Sequence, residues 1–304
     1  MRPDVSIIIL NWNTRELLAG CLTSLHDTIS GLIYDVWVVD NASSDGSVEM
    51  VRDAFPAVHL VANATNVGFA RANNQAIAAS QGRYVLLLNS DAVATPGAIQ
   101  SLVGLADAQP RAGIVGARLI NPDGSFQASH TPFPTLLQEF LILTGLGRLS
   151  RGRWYPSRGP EEHKGPQEVD YVEGACMLAR HQAVEDVGGL DEGYFMYAEE
   201  VDWCYAMQQA GWQVWYQPQA QIIHLGGGSS QHRRPQREAD LYRSRVRFFR
   251  KYYGDRLAQL LKLQVYVFTA IKIAVHNLVR LVSRGRRGRP VVSLRYLATQ
   301  LKDA

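Results

Sequence analysis

Cysteine is scarce in this 304-residue chain: Cys21, Cys176 and Cys204 are the only three, far apart and in no CxxC pairing. That excludes a disulfide-stapled secreted scaffold and a structural zinc knot, and it fits a reducing, cytoplasmic setting. Long hydrophobic runs are lacking as well. The apolar stretch behind Met1-Arg2-Pro3-Asp4 spans about six residues, shorter than the core of a signal peptide, so no export is expected. Leu263 to Leu281 is the most apolar segment, but Lys272, His276 and Arg280 interrupt it short of the roughly 18 residues of a confident membrane span. No GxGxxG follows the first apolar run and no Walker sequence is present, which disfavours a nicotinamide enzyme and a P-loop nucleotidase. Nor does either sign of charge dominate. With 31 Lys and Arg, 28 Asp and Glu, a net charge of +3 and 46% hydrophobic residues, the composition is that of a folded globular chain, neither disordered nor collagen-like nor coiled coil.

What is present is an alternation of two periods over the first hundred residues. Val5 to Leu10 (VSIIIL), Val36 to Val39 (VWVV) and Tyr84 to Leu88 (YVLLL) are short, β-rich and apolar, as strands buried on both faces of a parallel sheet should be, and Val58 to Ala62 reads as a further strand. Between them lie helix-forming segments that start near Arg15, Ser47 and Gly68. The pattern predicts a doubly wound α/β domain, whose ligands bind beyond the carboxyl ends of the strands. Those ends carry the polar clusters Asn11 to Asn13, Asp40-Asn41, Asn63 to Gly68 and Asn89-Ser90-Asp91. Further along, Ile114 to Ile120, Asp170 to Leu178, Gln213 to Tyr216 and Gln221 to His224 read as strands, and Leu136 to Leu146 and Glu199 to Ala210 as helices. A Gly-, Pro- and Arg-rich stretch from Gly147 to Gly165 reads as a mobile loop. The expected division is a catalytic domain over 1–235 and a basic helical region over 236–304.

Four clusters could carry chemistry. Asp91 stands just past a buried strand, where it is either a turn former ahead of the helix that Pro96 begins or a hard oxygen donor for Mg or Mn. Asp40 follows VWVV, where an acid can grip a ribose; without a glycine-rich phosphate loop, a diphosphate would need a metal. Glu199, Glu200 and Asp202 crowd one helix start, as common partners of the helix dipole or as carboxylates that raise one another's pKa and so supply a general base. Their approach, Gly188 to Tyr197, is rich in glycine and aromatics and suits a pocket wall. His224 precedes Leu225-Gly226-Gly227-Gly228, as a structural histidine or as a nitrogen ligand beside the hinge of a closing lid.

In the tail, Arg233 to Lys251 interleaves basic and aromatic residues, and RGRRGR spans Arg284 to Arg289. No nucleic-acid motif accompanies them, so nucleic acid is not the expected partner. Lys272, His276, Arg280 and Arg284 recur every four residues beside an apolar surface. That suits a basic amphipathic helix on an anionic membrane, or equally a core helix packed on the domain or on a dimer partner.

Taken in order, VSIIILNWN, VWVVDNASSDGS, NATNVGFARANNQAI, YVLLLNSDA, VEGACMLARHQAVEDVGGLDEGYFMYAEEVDWCYAMQQAGW and IIHLGGGSS resemble the family 2 glycosyltransferases of the GT-A fold, particularly a bacterial rhamnosyltransferase-like branch, over residues 4 to 230. The resemblance implies a Rossmann-like, mostly parallel sheet flanked by helices, and inverting, metal-dependent transfer of a sugar from a nucleoside diphosphate donor (dTDP or UDP) to a hydroxyl of a glycan or lipid-linked glycan. Rhamnose from dTDP-rhamnose is the donor it favours, and cell-envelope polysaccharide synthesis the setting, on the inner face of the membrane. By position it assigns Asn11, Trp12, Asp40, Asn66, Gly68, Asn74, Asn89 and Ser90 to the nucleotide, and Asp91 with His224 to a Mg or Mn ion. Asn89 replaces the first acid of the family's DxD motif. Glu200, with Glu199 beside it, falls where the family draws its base. Glu173, Gly174, Asp202 and Trp203 fall near donor sugar and acceptor. Two other readings are a non-catalytic glycan-binding or scaffold protein on a degenerate transferase fold, and a nucleotidyltransferase, for which NWNT lacks a phosphate cradle.

Overall fold

The computed structural model describes residues 2–147, 165–226, 234–282 and 293–302. The chain opens with β1 (Val5–Asn11), α1 (Arg15–Thr28), β2 (Tyr34–Asp40), α2 (Ser47–Ala54), β3 (His59–Ala62), α3 (Phe69–Ala79) and β4 (Tyr84–Asn89). It continues through β5 (Ala92–Ala94), α4 (Ala98–Ala108), β6 (Ala112–Ile120), β7 (His130–Thr131), α5 (Leu136–Thr144), β8 (Gln167–Glu168), β9 (Tyr171–Val172), β10 (Cys176–Arg180), α6 (His181–Val187), α7 (Glu199–Gln209) and β11 (Gln213–His224). Three helices follow: α8 (Arg234–Tyr253), α9 (Asp255–Val282) and α10 (Leu294–Leu301).

The chain divides into two compact units. One gathers Met1–Phe133, Ser157–Phe195 and Glu199–Ser229 around a sheet of order β3-β2-β1-β4-β10-β6-β11-β5, with β8 also paired to β11. β1 runs parallel to both β2 and β4, and the register sets Asn11 opposite Asp40 and Leu10 opposite Asn89. Three polar residues therefore leave the sheet at one level. Ile7, Ile8, Ile9, Val38, Val39, Leu86 and Leu87 are buried on both faces, which is why these strands read as unbroken apolar runs. Amphipathic α1 covers one face with Leu18, Cys21, Leu22 and Leu25.

The sheet is mixed rather than wholly parallel. β10 is antiparallel to both β4 and β6, and β5 is antiparallel to β11. Asp170 to Leu178 is not one strand: a turn at Glu173–Ala175 separates β9 from β10, and the two pair with different sheets. Conversely, the two strands expected between Gln213 and His224 are one, β11, with a register shift between Gln217 and Gln221 where Pro218 offers no N–H. All three cysteines are free and buried, and burial pushes their thiols up, that of Cys176 to about 12, so none is poised as a nucleophile.

The second unit gathers Pro134–Pro156, Met196–Ala198 and Ser230–Ala304. Within it the aromatics of the basic tail are core: Phe248, Phe249 and Tyr242 are buried on α8, beside Leu261 and Val265 of α9 and Leu297 of α10. Phe140 of α5 meets Phe268 of α9 edge-on at 5.5 Å. Burial pushes the Glu139 carboxyl up, and Arg245, 3.7 Å away, opposes that rise. The Gly147-to-Gly165 loop, the glycine hinge at Gly227-Gly228 and the RGRRGR segment lie largely or wholly outside the described residues.

Gly116 on β6 gives the first unit a point of close approach. A Cβ there would stand under 3.0 Å from Cβ, Cγ1 and Cγ2 of Val172, which is fully buried. Gly116→Ala is expected to cost about 1–3 kcal/mol through overpacking, read as a lower midpoint in urea unfolding.

Candidate active site

The carboxyl ends of β1, β2 and β4 are tied by one chain of buried hydrogen bonds. Asn11, fully buried, donates through Nδ2 to Asp40 Oδ2 at 2.7 Å and to Ser43 Oγ at 3.2 Å. Its Oδ1 accepts from Thr14 Oγ1 at 2.6 Å, and Thr14 Oγ1 in turn lies 2.8 Å from Ser90 Oγ. The other oxygen of Asp40 accepts from the Ser43 amide at 2.8 Å. Asp40 thus has both oxygens engaged by protein donors and holds the loops in place. Two of those loop residues, Asn13 and Ala42, have φ of 53° and 63°, a left-handed conformation that disfavours L side chains. Asn13 is kept there by Ser43 Oγ on its amide and by the Ser44 amide on its Oδ1, both at 2.8 Å. Trp12 is half-buried.

A second polar set lies at the end of β3. Asn41 donates to Gly68 O at 3.1 Å and to Asn66 Oδ1 at 3.3 Å, and Asn66 Oδ1 also accepts from the Gly68 amide at 3.0 Å. Gly68 has φ of 90°, and a side chain there would run into Phe195, whose carbonyl accepts from the Phe69 amide at 2.7 Å. Asn74 pins the approach loop: its Nδ2 donates to Leu190 O at 2.8 Å and its Oδ1 accepts from the Leu190 amide at 2.9 Å. Asn66 and Gly68 thus shape a strand-end loop, while the Asn74 amide is spent on anchoring residues 190–192.

Asp91 and His224 are brought together by strand pairing. His224, the last residue of β11, stands opposite Ala92 of β5, and the Leu225 amide donates to Asp91 O at 3.0 Å. His224 Nε2 then lies 3.3 Å from Asp91 Oδ1 and 3.3 Å from Asn89 Nδ2, with Asp91 almost buried. The ring is oriented by Gln127, whose Oε1 is 2.9 Å from His224 Nδ1. Because Gln127 Nε2 donates to His224 O and Asn121 Oδ1, both at 2.6 Å, its Oε1 is the acceptor for Nδ1–H. Nε2 is thereby left to face Asp91. One carboxylate beside one imidazole nitrogen, with the second nitrogen fixed by an amide, fits a divalent ion in both donor chemistry and outer-shell support. Among the described residues no group of three or more His, Cys, Asp and Glu is placed to hold a metal ion by itself, so such an ion would take its remaining ligands from substrate and water, as Mg and Mn commonly do.

The acids of α7 are differentiated by burial. The helix begins directly after Tyr197 and Ala198, whose φ values of 70° and 65° are uncommon for non-glycine residues. Glu199 is buried, its Oε2 has no hydrogen-bond partner among the described residues, and desolvation, then the neighbouring Glu200, pushes its pKa well up. Glu200 is less buried, and Gly174 faces it: a Cβ at Gly174 would lie 3.5 Å from Glu200 Cβ. The same turn sits against the end of β4, because the Asn89 amide donates to Ala175 O at 3.0 Å, and Glu173 Oε1 accepts from Thr131 Oγ1 at 3.4 Å. Asp202 and Trp203 are turned inward. Asp202 accepts from Tyr194 Oη at 2.9 Å, and Trp203, 1% exposed, donates to Gly188 O at 2.9 Å, so both brace the approach loop from within.

The structure therefore brings Asn89, Ser90 and Asp91 into one turn touched by Thr14, His224 and Ala175. Thr14, Ser43 and Asn41 stand in the polar clusters of the sequence, but their partners do not show there. Gln127 carries no signal at all in the sequence.

The model of glycosyl transferase family 2 matches residues 6–188. An N-acetylglucosaminyl-diphospho-decaprenol L-rhamnosyltransferase of Mycobacterium tuberculosis is 33% identical over 202 residues, which cover 62% of this chain and 66% of that protein. The low-salt glycan biosynthesis hexosyltransferase Agl10 of Haloferax volcanii is 29% identical over 210 residues, covering 67% of this chain and 62% of that one. The chain thus spans just under two thirds of the length of these curated relatives. Among solved structures, the mannosyltransferase PcManGT of Pyrobaculum calidifontis, in complex with GDP-Man and Mn2+, superposes with a TM-score of 0.59 at 18% identity, covering 99% of this chain and 85% of that one. The fold is that of GT-A glycosyltransferases, and the chain belongs to glycosyl transferase family 2.

Proposed function

We propose that the chain is an inverting, metal-assisted glycosyltransferase that moves rhamnose from dTDP-rhamnose to a hydroxyl of a lipid-linked or cell-envelope glycan. The observation that carries the reading is the Asp91–His224 pair, with Gln127 behind it, at the same strand ends that present Asn11, Trp12 and Asp40. The relative named as a rhamnosyltransferase supports the choice of sugar.

In this reading the loops after β1, β2 and β3 cradle the nucleoside, with the Asp40–Asn11–Thr14–Ser90 chain keeping them rigid. Asp91 and His224 would hold the Mg or Mn ion. When bound, such an ion supplies charge stabilisation to the diphosphate leaving group. Glu200 takes the proton of the acceptor hydroxyl as that oxygen attacks the anomeric carbon. Glu199 is ill suited to that role, since burial pushes its pKa well up and favours its protonated form. Inversion follows because a single displacement needs no enzyme nucleophile. Glu173 and Gly174 border the space beside Glu200, where donor sugar and acceptor would meet.

Glu200→Gln is expected to lower transfer by at least about 100-fold with nucleotide binding retained, measured as release of nucleoside diphosphate. Equal rates in the two proteins would remove Glu200 as base. Glu199→Gln should keep transfer close to wild type, because the amide resembles the protonated carboxyl. Since the native state retains a proton that the unfolded chain releases above the ordinary carboxylate range, wild-type stability falls as pH rises through the raised pKa of Glu199. The stability advantage of Glu199→Gln in urea unfolding should therefore widen from mildly acidic to alkaline pH.

Asp91→Ala should abolish the rise in melting temperature that dTDP and Mn together confer on the wild type, because a ligand that binds only the native state must stabilise it. Gln127→Leu should weaken Mn binding by about 10–100-fold, followed by the electron paramagnetic resonance signal of free Mn. Unchanged Mn affinity would reduce Gln127 to a packing role.

A further inference from the structure

Helix α9 has one committed face and one open one. On the first, Leu261 and Val265 are fully buried and Lys272 Nζ pairs with Glu238 Oε1 of α8 at 3.1 Å. The basic edge expected from the sequence to meet a membrane thus turns, at Lys272, toward α8. On the other face Leu260, Leu263, Val267, Ile271, Val275 and Leu278 are 49%, 59%, 45%, 49%, 55% and 61% exposed. Their spacing of three and four residues keeps them in one stripe, about 27 Å long at the rise of an α-helix. Exposed large apolar side chains scattered singly need no explanation, but a continuous stripe is an interaction surface.

Charge identifies what covers it. From Arg256 to Lys302 the sequence has ten Lys or Arg and no Asp or Glu, although the whole chain carries only +3, so the rest of the chain is net negative. A second copy packed through the same stripe would bring two such cationic segments together with no acidic segment to meet them. An anionic bilayer offers both the apolar interior and the opposite charge. The helix is long and apolar enough to cross a membrane by length and composition, but its other face is packed against protein. We propose that the α9 stripe lies flat in the surface of an anionic membrane, its apolar side chains among the acyl chains, with the net positive charge of the sequence from Arg256 to Lys302 favouring anionic headgroups.

Flotation of the full chain with vesicles tests this without donor or acceptor, so its failure leaves the catalytic reading untouched. The wild type should float with vesicles of phosphatidylcholine and phosphatidylglycerol, and far less with phosphatidylcholine alone. Leu263→Glu/Ile271→Glu should lower the partition coefficient by at least about ten-fold. Arg286→Gln/Arg287→Gln should lower it about 30-fold at low salt, taking about 1 kcal/mol per cation near the surface. The substituted apolar residues are exposed, so the melting temperature should stay at the wild-type value; if it falls, the arginine pair still decides. The proposal is overturned if the wild type does not float, or if the apolar double variant, folded, floats as the wild type does. It is likewise overturned if sedimentation shows a wild-type dimer that the apolar variant dissolves while vesicle binding persists, which would make a second copy the occupant.

Discussion

The hydrogen-bonded chain Asp40–Asn11–Thr14–Ser90 is the constraint on which the site depends. A buried carboxylate and a buried amide are costly unless each finds partners, and here each satisfies the other, so that none can move without leaving an orphan. Parallel pairing of β1 with β2 and β4 brings the three strand ends to one level, and the polar chain turns that alignment into a fixed relation between their loops. The left-handed conformations of Asn13 and Ala42 are tolerated in those loops.

The departure from a parallel sheet does a second job. Because β5 is antiparallel to β11, the end of β11 arrives beside the turn that carries Asp91, and residues 133 positions apart in the sequence come within 3.3 Å. Because β10 is antiparallel to β4, the turn holding Glu173 and Gly174 is delivered to the same strand end. A uniformly parallel sheet would have sent both segments elsewhere. The irregular half of the sheet therefore gathers groups that the regular half cannot supply.

Two adjacent glutamates of one chemical type acquire different characters through their surroundings alone. Glu199 is enclosed, which pushes its pKa well up, whereas Glu200 borders Gly174, where the absence of a side chain leaves room beside the Glu200 side chain. Asp202 and Trp203, three and four residues after Glu199, face inward and brace the loop through Tyr194 and Gly188. Position along the helix sorts an apparent run of acids into base candidate, buried neighbour and brace.

Sequence alone determined the parts whose physics is local. Runs such as VSIIIL and YVLLL signal strands covered on both faces, as in an α/β sheet, and polar residues just beyond them lie at strand ends, so the fold class and the places of Asn11, Asp40 and Asp91 were legible. The motif order carried the family as well. Only the tertiary structure decided what depends on partners distant in sequence. Gln127 has no signature, because orienting an imidazole requires only an amide at the right point in space. Trp203 reads as a pocket residue until the Gly188 carbonyl is seen to take its N–H. The periodicity of α9 gives an apolar surface and a basic edge, but the packing that buries Leu261 and Val265 and pairs Lys272 with Glu238 of α8 is what leaves the apolar stripe from Leu260 to Leu278 open.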